Sequence, residues 1–280
     1  MSEGTGPGAI TAYDRQLLLF GSKQEAVLDL AEIHRFGVDS YGDADHVSLY
    51  GMRPSEWYDC GVRVLGRTAV ECTYDSLAER LAEDVAAVAG SVPSTASAAS
   101  AASALVIDPF AGSGNTLHWI VRGLSGAAGL GFELDPVVWQ LTSRNLAVVE
   151  SRLQVLNVDY LVGLDEVSVS RDRLVVVFVA PPWGAALDPV SGLDLRRSSP
   201  PVGEVVDAVV QRFPGNPLLL AVQIFEKLEP DSRAELEGRF DWSAVHVYDF
   251  NPPGLNPGVL VGTRNWAPPD FSVARDWGKR

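Results

Sequence analysis

The N-terminal part of the chain places its hydrophobic residues at helical spacing. Apolar positions recur every three or four residues within 13–36, on both sides of a short polar break, which predicts two short helices. The same spacing within 73–90 predicts a longer helix, with Thr73 or Asp75 as its N-cap. Residues 40–70 carry scattered aromatic side chains without a clear period, and we expect them to be irregular.

The remainder of the chain alternates apolar runs with segments of helical length. Runs such as LVVVFV are hydrophobic at every position, as is typical of parallel strands covered by helices on both faces. Helices are expected at about 115–124, 136–150 and 202–213, between and after the apolar runs. Two extended runs around a Pro/Gly/Asn loop within 242–266 predict an antiparallel hairpin at the sheet edge. The pattern therefore predicts a Rossmann-like α/β fold, doubly wound, with a mostly parallel seven-stranded sheet.

A low-complexity stretch separates these two patterns. Residues 91–103, SVPSTASAASAAS, are mainly Ala and Ser with one Pro, so we predict a flexible linker rather than an alanine-rich helix. The predicted division is a helical extension over residues 1–90, this linker, and an α/β domain over residues 104–280. Two hypotheses apply to the aromatic residues between 41 and 58: they close over a ligand as a lid, or they pack the extension against the sheet.

Composition narrows the class of partner. The chain has 36 acidic and 22 basic residues and a net charge of −14, whereas nucleic-acid binding draws on clustered Lys and Arg. A long polynucleotide partner is therefore disfavoured, and small acceptors remain open. Cys60 and Cys72 do not make a disulfide framework, so we expect a reduced, cytoplasmic location. The start of the chain lacks a signal-peptide pattern, and no apolar run reaches the ~18 residues that span a membrane.

A glycine-rich turn, VIDPFAGSGNTLHW, follows the first predicted strand of the α/β part. It lacks the Gly-Lys-Ser/Thr of a P-loop, and Leu117 stands where a dinucleotide-binding fingerprint has its third glycine. Asp108 ends the strand directly before the turn, and a carboxylate there repels a pyrophosphate but suits a cation. S-adenosylmethionine carries an ammonium and a sulfonium group and no phosphate. The turn is therefore interpreted as a site for this cofactor.

Two further acidic residues end the next two strands. Glu133 stands 25 residues after Asp108, where a carboxylate can accept hydrogen bonds from both ribose hydroxyls. Asp159 ends the third strand, where we expect it beside the adenine as an acceptor for the amino group. Asp135 and Pro136 are expected to open the following helix.

The fourth apolar strand runs into a Pro-Pro-Trp turn. Pro181 and Pro182 fix the backbone, so the carbonyl groups of residues 180 and 181 are expected to point into the cleft. Trp183 then offers a flat face, and stacking a base-like ring on an aromatic side chain contributes ~1–3 kcal/mol. The order of these motifs predicts a cofactor half followed by an acceptor half.

The string D-P-F-x-G-S-G followed by P-P-W resembles the amino-methyltransferases that use S-adenosylmethionine, including the DNA adenine-N6 and cytosine-N4 enzymes. It is more closely similar to the trimethylguanosine synthase (RNA cap guanine-N2 methyltransferase) family. That family's glycine loop ends in Gly-Asn-Thr, as residues 114–116 do, and its fourth motif reads Pro-Pro-Trp-Gly, as residues 181–184 do. Residues 193–196, Leu-Asp-Leu-Arg, resemble a Phe-Asp-Ile-Arg string of the family. The resemblance covers about residues 73–265.

The resemblance implies a class I methyltransferase that uses S-adenosylmethionine and releases S-adenosylhomocysteine. The cofactor-binding residues implied are Thr73, Asp108, Phe110, Gly112, Gly114, Asn115, Thr116, Glu133, Leu134, Asp159, Tyr160 and Ala180. The catalytic residues implied are Pro181, Pro182, Trp183 and Asp194, and no metal is implied. Asp194 or Arg196 is expected to orient the acceptor's polar edge, or else Arg196 forms a surface salt bridge.

One departure from the family bears on the acceptor. Ala180 stands where the family has Ser, so only backbone carbonyls remain to hold a target amine. We therefore predict methylation of a small planar heteroaromatic molecule, at nitrogen or at a ring carbon. A guanine N2 of structured RNA and a non-catalytic, cofactor-binding role are the alternatives.

Overall fold

The computed structural model describes most of the chain. The described residues are 13–92, 104–149, 153–188, 190–251 and 253–268. Residues 93–103, on which the predicted linker depends, lie outside these ranges.

Within residues 13–92 the chain forms five helices. They are α1 (Arg15–Leu19), α2 (Leu30–Tyr41), α3 (Pro54–Asp59), α4 (Gly66–Glu71) and α5 (Asp75–Ala89). The helices α1, α2 and α5 confirm the sequence pattern. The prediction that residues 40–70 are irregular was wrong, because α3 and α4 lie there. Each has only six residues, too few to show a period, and α3 begins with Pro54 at a position where its missing N–H costs nothing.

The predicted cap of α5 was also wrong. Tyr74 is the N-cap residue, and Asp75 is the first residue of the helix. The Asp75 carboxylate accepts hydrogen bonds from the Gly51 N–H and the Trp119 indole N–H instead. The Asp75 carboxylate therefore bonds to residues distant in sequence rather than to the N–H groups at the start of its own helix.

The described α/β part contains seven strands in one sheet. They are β1 (Leu105–Asp108), β2 (Ala128–Phe132), β3 (Leu153–Leu156), β4 (Val175–Val179), β5 (Leu218–Phe225), β6 (Trp242–Val247) and β7 (Pro257–Arg264). Their order is β3-β2-β1-β4-β5-β7-β6, with β1 to β5 parallel and β7 antiparallel to both of its neighbours. The helices are α6 (Asn115–Gly123), α7 (Pro136–Val149), α8 (Tyr160–Glu166), α9 (Val202–Arg212) and α10 (Pro230–Glu237). The predicted Rossmann-like sheet and its C-terminal hairpin are confirmed.

The core lies on both faces of this sheet. Val106 and Val176 point to one face, where they join a buried cluster that also contains side chains of α2 and α5. Ile107 and Val177, the next residues along the same strands, point to the other face and pack with α9. Successive side chains of a strand face opposite ways, so strands covered on both faces must be apolar throughout. The N-terminal helices and the sheet thus share a continuous hydrophobic core.

The strand order reverses between β1 and β4, so a ligand crevice is expected at the carboxyl ends of these two strands. The chain winds from β1 towards β2 and β3 on one side, and from β4 towards β5 on the other, and ligands of such sheets bind where the order reverses. The loop between β6 and β7 reaches the same edge, because Phe225 at the end of β5 pairs with Pro257. No helix of the described ranges is both long enough and apolar enough to cross a lipid bilayer.

Candidate active site

The glycine turn between β1 and α6 is the centre of the candidate site. Gly112 has φ +50° and Gly114 has φ +72°, which are left-handed conformations that favour glycine. Gly114 is the N-cap residue of α6, and a Cβ placed on it would come within 3.1 Å of a methyl group of Leu146. Both glycines are therefore required by the turn itself, and the predicted strand, turn and helix are all present.

Asp108 is buried at the end of β1. Its side chain is 2% exposed, and Oδ1 accepts a hydrogen bond of 3.0 Å from the Phe110 N–H. Burial raises the pKa of this carboxyl to about 7, and the nearby Glu133 carboxylate adds to the rise. Within the described residues no basic side chain forms an ion pair with Asp108. Asp108 is therefore a buried carboxyl group that a cation would stabilise in its charged form.

Glu133 joins the two loops that follow β1 and β2. Its Oε2 accepts from the Gly112 N–H at 3.0 Å, and its Oε1 accepts from the Asp135 N–H at 2.8 Å. Burial raises the pKa of this carboxyl as well. Each carboxylate oxygen has a second lone pair, so both remain able to accept a hydroxyl group of a ligand.

Aromatic and apolar side chains lie beside the loops after β1, β2 and β3. The rings of Phe110 and Tyr160 are 5.3 Å apart between centroids, at an interplanar angle of 51°. Leu134 is 69% exposed. Asp159 caps α8, since its Oδ1 accepts from the Leu161 N–H at 2.9 Å. Phe110 and Tyr160 are thus brought together, and the Asp159 carboxylate keeps one oxygen for a further donor.

The Pro-Pro-Trp turn follows β4 at the same edge of the sheet. Pro181 is buried and Pro182 is exposed. The partly buried Trp183 packs against the hydrophobic cluster that contains Ile107, on the face of the sheet covered by α9. Ala180 is partly buried and packs against the cluster on the other face of the sheet, which contains Val106 and side chains of α5. The Trp183 carbonyl accepts from the Ala186 N–H at 2.7 Å and so starts a short 3-10 turn. The tryptophan therefore stands on a backbone that is fixed on both sides.

Asp194 is held in an ion pair. Its carboxylate accepts from the Arg196 Nε at 2.8 Å and from the Arg196 Nη2 at 3.1 Å, and Arg196 also reaches Glu229 at 2.9 Å. The Arg196 guanidinium holds the pKa of Asp194 below its usual value. Of the two sequence readings of Arg196, the structure has the surface salt bridge.

The N-terminal extension contacts the candidate site where Thr73 bonds to Asn115, the first residue of α6. The Thr73 hydroxyl bonds to Gln223 Oε1 near the end of β5 at 3.1 Å, and the Thr73 carbonyl accepts from Asn115 Nδ2 at 2.7 Å. Arg67 binds Asp135 at 2.7 Å and so holds the loop after β2. Thr116 is buried in the first turn of α6. The roles of these residues towards a cofactor stay predictions.

Sequence reasoning missed Tyr50 and Asp75 as partners of the glycine turn. The Tyr50 hydroxyl donates to the Ser113 carbonyl at 2.5 Å, across 63 residues of chain. No local pattern signals such a contact, because it depends on how the extension packs on α6. Trp57, also one of the aromatics between 41 and 58, is buried and donates its indole N–H to the Val47 carbonyl at 2.9 Å. Tyr50 and Trp57 thus pack within the core, while a lid role for the extension stays a prediction.

The arrangement suits a cationic ligand that also has hydroxyl groups and an aromatic ring. The buried Asp108 carboxyl group and the partly buried Glu133 carboxyl group disfavour a phosphate, and the rings of Phe110 and Tyr160 favour a planar group. Among the described residues there is no group of three His, Cys, Asp or Glu side chains that could hold a metal ion.

Comparison with known proteins gives structural likenesses. No model of a protein family matches the chain, and no curated protein sequence matches it. The METTL16 MTase domain is similar in structure with a TM-score of 0.43 and 14% identity, covering 67% of this chain and 66% of that domain. Precorrin-6y C5,15-methyltransferase from Geobacter metallireducens GS-15 is similar with a TM-score of 0.43 and 12% identity, and the match covers 69% of this chain and 90% of that protein. TYW2 of P. horikoshii in complex with MeSAdo is similar with a TM-score of 0.37 and 14% identity, and the match covers 72% of this chain and 67% of that protein. The chain thus spans about two thirds of the METTL16 domain that it matches.

Proposed function

We propose that this chain is an S-adenosylmethionine-dependent methyltransferase that methylates a small planar heteroaromatic molecule. The observation that carries the proposal is Asp108, a buried carboxyl group beside a glycine turn, with a pKa raised to about 7 and no ion-pair partner among the described residues. A ligand ammonium group would supply the missing positive charge. A dinucleotide would instead bring phosphates next to two carboxyl groups, Asp108 and Glu133, which repel them.

Each part of the cofactor would meet a matching group at the candidate site. Asp108 would bind the ammonium of the methionine part, and the glycines leave room for its backbone-like atoms. Glu133 would accept from the ribose hydroxyls with the lone pairs that the Gly112 and Asp135 N–H groups leave open. Phe110 and Tyr160, whose rings contact each other, would pack against the adenine together, with Asp159 as the acceptor for its amino group. The cofactor supplies a methyl group that its sulfonium already activates.

The acceptor half has mainly to position the nucleophile. Methyl transfer is an in-line displacement, so holding the acceptor atom in line with the methyl group and the sulfur supplies most of what is needed. Trp183 would stack on the acceptor ring, and the carbonyls of Ala180 and Pro181 would orient its polar edge. We assign the Asp194 carboxylate to fixing this segment, because it forms a two-point ion pair with Arg196, which also bonds to Glu229.

Charge favours a small acceptor over a polynucleotide. The chain carries a net charge of −14, and Arg196, close to the acceptor half in sequence, is already paired with Asp194 and Glu229. A guanine within structured RNA remains the second candidate, because the Pro-Pro-Trp-Gly string at 181–184 resembles that of the trimethylguanosine synthase family.

The test is an acceptor search with methyl-labelled cofactor. The purified chain is incubated with labelled S-adenosylmethionine and either a small-metabolite extract or total RNA, and Asp108→Asn serves as the inactive control. We expect label in the metabolite fraction alone. Label in RNA would replace the small acceptor by RNA. If calorimetry detects cofactor binding but neither pool gains label, the chain is not an enzyme on these acceptors, and if the cofactor does not bind, the proposal fails entirely.

A further inference from the structure

A strained turn of the N-terminal extension abuts the glycine turn. Leu49 and Met52 exchange two backbone hydrogen bonds of 3.0 Å, which closes a two-residue hairpin around Tyr50 and Gly51. Tyr50 has φ +59° and Gly51 has φ +80°. A left-handed conformation is ordinary for glycine but costly for a residue as large as tyrosine, so contacts around Tyr50 must hold it there.

The contacts that hold Tyr50 come from the glycine turn. Its backbone N–H donates to Asn115 Oδ1 at 2.7 Å, and its hydroxyl donates to the Ser113 carbonyl at 2.5 Å. Both bonds are buried, and burial raises the pKa of the Tyr50 phenol, so the hydroxyl stays a donor. The same two bonds act in the other direction, because they fix a carbonyl and a side chain of the turn between β1 and α6.

Asp75 completes this network from the first position of α5. Its Oδ2 accepts from the Gly51 N–H at 2.9 Å. Its Oδ1 accepts from Asn115 Nδ2 at 3.1 Å and from the Trp119 indole N–H at 2.6 Å. One buried carboxylate thus connects the strained turn, the start of α6 and α5. The Asn115 amide bonds to the extension through both its oxygen and its nitrogen. This residue, which the sequence predicts to bind the cofactor, therefore also anchors the extension.

We infer that Tyr50 and Asp75 are positioning residues that hold the glycine turn in the shape that binds the cofactor. The inference rests on the proposed function. A turn with two left-handed glycines has many alternative conformations, and a loop that is already ordered before binding does not lose that freedom when the ligand arrives. Without the Tyr50 hydroxyl, the buried Ser113 carbonyl loses its partner and the turn loses an anchor.

The chain offers a matched control on the same helix. Asp84, in the middle of α5, accepts a hydrogen bond of 2.6 Å from the Tyr248 hydroxyl and lies 2.6 Å from His246 Nδ1. This second pair is also buried and also joins a tyrosine to an α5 carboxylate. It connects α5 to the end of β6, however, rather than to the glycine turn.

The experiment compares Tyr50→Phe and Asp75→Asn with Tyr248→Phe and Asp84→Asn in the full chain. Thermal unfolding measures stability, calorimetry measures the Kd for S-adenosylmethionine, and hydrogen exchange without cofactor measures the order of the turn. All four variants are expected to unfold at lower temperature. Only Tyr50→Phe and Asp75→Asn are expected to weaken cofactor binding, by about tenfold, and to speed amide exchange at residues 112–116.

The outcomes separate this inference from the proposed function. If the unaltered chain binds the cofactor and Tyr50→Phe binds it within twofold of that affinity with unchanged exchange, the positioning role is wrong. Equal losses in both pairs of variants would also overturn it, since the effect would then follow stability alone. An unaltered chain that binds no cofactor overturns the proposed function first. Tyr50→Phe keeps the ring and the backbone conformation, so it serves as the decisive variant if Asp75→Asn does not fold.

Discussion

The Glu133 carboxylate accepts a hydrogen bond from the Gly112 N–H at 3.0 Å, so the acidic residue after β2 holds the glycine turn after β1. Its other oxygen binds the Asp135 N–H at 2.8 Å. One side chain thus holds two loops of the candidate site, and under the proposed function it would also accept from the ribose hydroxyls. A substitution of Glu133 is therefore expected to change the shape of these loops as well as any binding of a ribose.

Replacing Glu133 by Gln should weaken cofactor binding and also lower stability. An amide keeps one acceptor oxygen, so either Gly112 or Asp135 loses its partner, at a cost of about 1–3 kcal/mol. We expect the Kd for S-adenosylmethionine to rise at least tenfold, as measured by calorimetry. Glu226→Ala is the control, because one oxygen of Glu226 accepts from two backbone N–H groups, those of Gly254 and Asn256, and truncation removes both bonds in the loop between β6 and β7. A similar rise in Kd for both variants would contradict a ribose-binding role for Glu133.

Replacing Asp108 by Asn should abolish cofactor binding while stabilising the free protein above pH 7. The folded protein raises the pKa of Asp108 from 3.8 to about 7, so burying the charge opposes folding, and each unit corresponds to about 1.4 kcal/mol. Stability that the protonated group contributes is present below the unfolded pKa and is lost as pH rises through 7. Asn has no charge to bury and still accepts from the Phe110 N–H. Thermal unfolding at pH 8 should show a higher midpoint for the variant, and a lower one would refute the buried-charge account.

Cofactor affinity should depend on pH through the same carboxyl group. Below pH 7, Asp108 holds a proton in the free protein, and that proton must leave before an ammonium can pair with it. The Kd is therefore expected to rise as pH falls below 7, approaching tenfold per unit. Calorimetry between pH 5.5 and about 7.5 tests this slope. A Kd that stays flat over this range would show that Asp108 does not pair with the ligand's cation.

Replacing Trp183 by Ala should impair methyl transfer and leave cofactor binding within twofold. Loss of a stacking partner worth ~1–3 kcal/mol corresponds to a fall in kcat/KM of roughly 5- to 150-fold, with a smaller fall for Trp183→Phe. The measurement uses the acceptor that the labelled-cofactor search identifies. Trp266→Phe is the control, because this buried indole bonds to the Leu218 carbonyl at the opposite end of β5. Equal falls for Trp183→Ala and Trp266→Phe would argue against stacking at Trp183.

Local sequence patterns predicted most of the fold because a buried parallel sheet demands them. A strand such as β4 is covered by side chains on both faces, so all five of its residues are apolar and the run is visible in the sequence. The glycines at 112 and 114 are visible for a similar reason, since their left-handed backbone excludes other side chains. The short helices α3 and α4 escaped prediction because six residues hold too little of a period.

Sequence by itself determined the order of the strands and of the longer helices, the turn after β1 and the acidic residues that end β1 and β2. These features follow from neighbours along the chain, through backbone geometry and the burial of each strand. Only the tertiary structure decided that Asp75 accepts hydrogen bonds from Gly51 and Asn115 instead of capping its own helix, and that Asp194 forms an ion pair with Arg196. These contacts join residues far apart in sequence or depend on side-chain rotamers, and their partners are chosen by the packing of the extension on the sheet.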